Sequence, residues 1–139
     1  MGSSKRLNDY IKEVRHKPFE WGEHDCFIFS NTAFKCYHGF GYADDWIGRY
    51  MGSDGPMLPS RLRKEFSVSN FDEAIEQKLK RVEYVPPKGS LVATKKAERW
   101  AVGYALGISL GIKAAFLSRG GLIFIPIDDI DKAWIPTDE

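Results

Sequence analysis

The chain has 139 residues, 43% of them hydrophobic and 14% aromatic, and 20 Lys and Arg against 19 Asp and Glu leave a formal net charge of +1. That content excludes a disordered chain, while a mean hydropathy of −0.35 and the lack of any apolar run near ~18–20 residues exclude a membrane span. Near-neutrality offers no global attraction to a polyanion, so no nucleic-acid partner is expected. One domain with a single core, residues 1–139, is the expected organisation.

Leu7, Tyr10, Ile11 and Val14 recur at three and four, which predicts a short amphipathic helix from Leu7 to about Arg15, closed by Pro18. Met1 to Arg6 has no apolar segment behind it and does not read as a secretory signal. A second helix, Asp25 to about Tyr37, has apolar residues on two faces (Phe29 and Ala33, then Phe27 and Phe34), as a central buried helix would. Gly39 and Gly41 end it. Short helical turns are expected at 44–50 and 60–66. Ser69 is expected to cap a clearer helix, Asn70 to Leu79, with Phe71, Ala74, Ile75 and Leu79 on one face.

After Pro86-Pro87 the period changes from helix to strand. Ser90–Thr94, Trp100–Leu110, Lys113–Ser118 and Leu122–Pro126 read as successive strands, separated by the polar loop Lys95–Arg99 and then by glycine turns at Gly111-Ile112 and Arg119-Gly120-Gly121. Residues 128–139, with Ala133-Trp134-Ile135, read as a tail ending in an apolar clip. The expectation is an α+β domain: a helical part over about 5–80, then an antiparallel meander over about 88–127.

Chemistry concentrates in Phe19–Phe29. Asp25 suits an N-cap, because its carboxylate accepts from unpaired amides of the first turn. Cys26 then opens the helix, where the dipole and free N–H groups favour thiolate. The alternative is a small buried residue filling the first turn of a core helix. His24, two residues earlier, is the nearest candidate base, or else a loop residue bonding the backbone beside the cap. The chain has two cysteines, Cys26 and Cys36, and ten helical residues put them about 15 Å apart, too far for a disulfide. The same distance separates His24-x-Cys26 from Cys36-x-His38, so no metal and no cofactor is expected. Without a disulfide framework the chain fits a reducing compartment. Trp46, Tyr50, Trp100 and Trp134 are candidate partner anchors or core residues.

Trp21-Gly22-Glu23-His24-Asp25-Cys26 resembles the Trp-Gly-Gly-x-Asp-Cys signature of the NlpC-type cell-wall peptidases, in the papain-like cysteine peptidase superfamily. Gly89-Ser90-Leu91-Val92 resembles that family's Gly-Asp-Leu-Val strand, and Ala105-Leu106-Gly107-Ile108 stands where the family has His-Val-Gly-Ile. The third strand and Gly121-Leu122-Ile123-Phe124 match in order and spacing, so the resemblance covers about Phe19 to Pro126. It implies a papain-like/NlpC-like fold with Cys26 as nucleophile and Trp21, Gly22 and Asp25 as structural residues of the turn and cap. It also puts Ala105 at the position of the family's general base, and Ala114-Ala115-Phe116 where the imidazole's orienting group belongs. Acyl transfer needs a proton delivered to the leaving amine, which alanine cannot do.

The pattern is similar to a divergent branch encoded among phage and prophage tail genes. That resemblance implies a catalytically silent adaptor in a tail tip or its assembly, located in the virion or in the host cytoplasm, with other tail proteins as partners. The competing expectation is a cysteine hydrolase cutting peptidoglycan peptides, with Cys26 as nucleophile and His24 or a partner's residue as base.

Overall fold

The computed structural model describes residues 3–20, 24–44, 51–52, 55–56, 71–95 and 105–137, with the backbone only at Cys26 and at 51, 52, 55, 56 and 71. The expected turns at 44–50 and 60–66, and Trp21, Gly22, Trp46, Tyr50, Ser69 and Trp100, lie wholly or almost wholly outside those residues.

Helix α1, Ser4–Val14, starts earlier than its apolar stripe suggests because the Ser3 hydroxyl accepts from the Arg6 N–H at 3.2 Å and caps it. It buries Leu7, Ile11 and Val14. Helix α2, Cys26–His38, runs between an Asp25 cap and Gly39, whose φ of 87° permits the left-handed C-terminal turn. Two bonds clamp the start of α1 to the end of α2: Ser3 N–H donates to the Tyr37 carbonyl at 2.7 Å, and Arg6 Nε to the Cys36 carbonyl at 2.9 Å. The second satisfies one of the carbonyls that a helix C-terminus leaves unpaired. A two-stranded ribbon, β1 (Met51–Gly52) with β2 (Gly55–Pro56), follows.

Helix α3 covers Phe71–Glu76, shorter than the expected Asn70–Leu79, because Leu79 opens a strand. That strand, β3 (Leu79–Val82), was not legible as one. It pairs with β8 (Lys132–Pro136), the segment read as a terminal clip. The remaining strands are β4 (Leu91–Thr94), β5 (Ala105–Ser109), β6 (Lys113–Ser118) and β7 (Gly121–Pro126), in the predicted order. The sheet is antiparallel throughout, ordered β3-β8-β4-β5-β6-β7. The architecture is therefore α+β, and β4 to β7 form the expected meander. The correction is that the supposed tail inserts β8 between β3 and β4.

That insertion constrains the sheet's shape. Lys132 lies in the same row as Leu122, so a flat sheet would separate it from Pro126 by four strand spacings and four residues, roughly 23 Å. The linker Ile127–Asp131, partly wound into a 3₁₀ turn, reaches only about 18 Å. The sheet must curl. Its concave side holds Val92, Ala105, Ala114, Phe116, Ile125 and Ala133, with Ile127 and Ile130 of the crossing packed against them. Its other side holds the larger core, where α1 and α2 pack on Leu91, Ala93, Leu106, Ile108, Ala115 and Leu117.

Candidate functional site

The start of α2 is built from the loop before it. Glu20 and His24 exchange both backbone hydrogen bonds, at 2.9 and 2.8 Å, closing a short bridge that delivers Asp25 to the helix axis. Asp25 is fully buried, and its Oδ1 accepts from the Ile28 N–H at 2.9 Å. This is the predicted cap, and it makes Cys26 the first helical residue. The carboxylate also sets a negative charge beside the helix terminus, opposing the dipole that would favour a thiolate there.

His24 is not a solvent-facing loop residue. It is 3% exposed, its ring stands edge-on to Phe29 at 6.4 Å, and its Nε2 has no hydrogen-bond partner among the described residues. Burial lowers its pKa below the ordinary value of 6.5, and the Lys17 ammonium pushes the same way against the smaller pull of Asp25. The unfolded chain therefore binds a proton near pH 6.5 that the folded chain refuses until lower pH. Stability from this group is complete above about pH 6.5 and is lost as pH falls through the window beneath it. His24→Gln is expected to flatten that loss, as read by urea unfolding at about pH 5 and about pH 7.5.

The other histidines are far along the chain from Cys26. His16 is exposed just beyond α1. His38 ends α2, where Nε2 meets the Gly89 carbonyl at 2.9 Å and the ring packs on Phe34 at 4.2 Å. The two His/Cys pairs thus occupy opposite ends of α2, and among the described residues no group of three His, Cys, Asp or Glu is placed to hold a metal ion.

Ala105 is buried, and pleat alternation turns it to the concave side of the sheet with Ala114 and Phe116. Its neighbour Leu106 faces α2, as do Ile108 and Ala115. Every buried described side chain that β4, β5 and β6 contribute to the α2 side is apolar, and Lys113, exposed at the start of β6, is the charged residue on that face. Position 105 therefore lacks an imidazole and also lies on the sheet face turned away from α2.

Polar residues in the middle of α2 were not singled out by the sequence reading, and they have a structural role. Asn31 accepts from the Ala43 N–H and donates to Asp44 Oδ1, both at 2.8 Å, while Ser30 and the Tyr42 hydroxyl bond at 2.8 Å. Together they stitch the 41–44 turn onto the helix. The available signal was the polar run Ser30-Asn31-Thr32 between apolar stretches of the helix, followed by Gly41 and Asp44. Trp134, one of the candidate partner anchors, is fully buried and does not present a surface.

A family model described as "Domain of unknown function (DUF6950)" matches residues 2–135. The chain belongs to the DUF6950 family. The match takes in α1, the Asp25-Cys26 turn and nearly all of β8, so the inserted strand lies within the family's domain. Searches of curated proteins and of solved structures found no match. Among the described residues no helix is long and apolar enough to cross a membrane.

Proposed function

We propose that this DUF6950 domain is a catalytically silent, NlpC-like module that serves as a structural adaptor, docking other proteins in a phage tail or during its assembly. One observation carries the silent part: among the described residues, the buried side chains that β4, β5 and β6 turn toward α2 are Leu, Ile and Ala, none of which can act as base or proton donor. The N-terminal cysteine helix and the meander, in the order that the resemblance implies, support the NlpC-like part. The adaptor role and the tail setting rest on the resemblance, and the partners would be other tail or assembly proteins.

The alternative, a cysteine hydrolase acting on peptidoglycan peptides, has one observation in its favour. His24 lies two residues from Cys26, and its Nε2 is buried without a partner among the described residues. Alkylation of Cys26 against pH, in a Cys36→Ala background, separates the two. The silent module is expected to alkylate with a midpoint at or above that of a free thiol, about 8.5, and with the same midpoint in His24→Gln. A midpoint well below 7 that rises in His24→Gln would overturn this reading in favour of the hydrolase.

A further inference from the structure

Two surfaces of opposite charge lie on the two faces of the sheet, a groove against the concave-side cluster and a patch around Phe124 against the larger core. β3 is one edge and β7 the other. Beyond β3, the exit Val82–Pro86 and the crossing 127–133 enclose a groove of about 210 Å³. Its floor is apolar, and beside it Tyr84 and Val85 are 60% and 64% exposed, two of only four large hydrophobic residues so exposed among those described. Its charged lining is Glu83, Asp128 and Asp131 against Lys132, whose ammonium is already paired with Asp72. Arg81 reaches Glu83 at 3.4 Å, but Glu83 is largely in solvent and that pair is screened. The groove is acidic around an apolar floor.

The patch on β7 is its complement. Phe124 is half-buried, with the Arg15 guanidinium 5.5 Å and the Lys113 ammonium 4.6 Å from its ring centroid. Both cationic residues are exposed. The result is an aromatic ring flanked by two positive charges, the chemistry that an acidic apolar groove receives. A net charge of +1 leaves no strong self-repulsion to keep copies apart.

We infer that copies of this chain associate head to tail, with Phe124, Arg15 and Lys113 of one copy seated on the Glu83–Asp128–Asp131 groove of the next. The two surfaces differ, so the contact is heterologous and continues into a ring or an open row rather than stopping at two. It uses no residue at the start of α2. Failure of this inference therefore leaves the silent-cleft reading standing, and the reverse also holds.

The test is sedimentation velocity on the full chain. Wild type is expected to gain mass with concentration up to about 0.3 mM in about 50 mM salt, and to associate at least about tenfold more weakly in about 500 mM salt. Glu83→Lys with Asp128→Lys should be monomeric, and so should Arg15→Glu with Lys113→Glu. An equimolar mixture of the two should associate again, since each groove then meets a patch of opposite sign. Far-UV circular dichroism checks that both variants fold. If one does not, the concentration and salt dependence of wild type decides. The inference is overturned by a wild type that stays monomeric or associates regardless of salt, by folded variants that associate as wild type does, or by a mixture of folded variants that remains monomeric.

Discussion

Trp134→Ala is expected to cost about 3–5 kcal/mol and to lower the thermal midpoint by roughly 10–20 °C. The indole is fully buried in the larger core, on a strand paired on both sides, with Leu91 of β4 and Arg81 of β3 as its neighbours. Truncation opens a cavity where no flexible end can collapse into the space. It also removes the Nε1–H that meets Glu76 Oε2 at 3.2 Å. Asp72 and Glu76, four apart on α3, share a face, and Lys132 and Trp134, two apart on β8, share another. The Lys132–Asp72 ion pair and the Trp134–Glu76 bond together fasten α3 to β8. Trp134→Phe keeps most of the volume and loses the bond, so it should cost about 1–2 kcal/mol, closer to a single hydrogen bond than to a cavity. Calorimetry on the two variants checks this. Equal losses would mean that filling the core is not what the indole does.

Gly107→Val is expected to prevent folding or to cost more than about 3 kcal/mol, measured by urea unfolding. A Cβ at 107 would collide with the Ala115 carbonyl oxygen, which belongs to the neighbouring strand's backbone, and with the Phe116 ring. The ring could turn, but the carbonyl moves only if β5 and β6 part. Gly107 and Phe116 are direct cross-strand partners, so the aromatic covers the space that the glycine leaves. This bears on function. Gly107 lies in the Ala-Leu-Gly-Ile run that resembles the peptidase strand, and packing inside the curled sheet by itself requires its glycine. A folded Gly107→Val variant of near-native stability would contradict that account.

The elements whose causes are local were legible in the chain. Asp25 and Gly39 mark both ends of α2, the stripe Leu7, Ile11 and Val14 marks α1, and Lys113–Ser118 is a strand bounded as expected. Caps, turns and periodicity act over a few residues, so a linear reading reaches them. Leu79–Val82 escaped because its apolar ends, three apart, continue a helical stripe, and only β8 makes them a strand.

At the candidate site the division follows the same line. Residue order by itself determined that Cys26 opens a capped helix and that all three histidines precede the meander. It did not determine which way Ala105 points. β5 is buried at all five positions, so no polar alternation marks its two faces, and the facing is set by register with β4 and β6. Nor did it determine that His24 is sealed against Phe29, that residues 132–136 lie inside the sheet, or that the sheet curls. The first of these depends on how the loop before α2 folds back through the Glu20–His24 bridge. The last two depend on contacts between residues tens of positions apart, which exist only once the strands have chosen their neighbours.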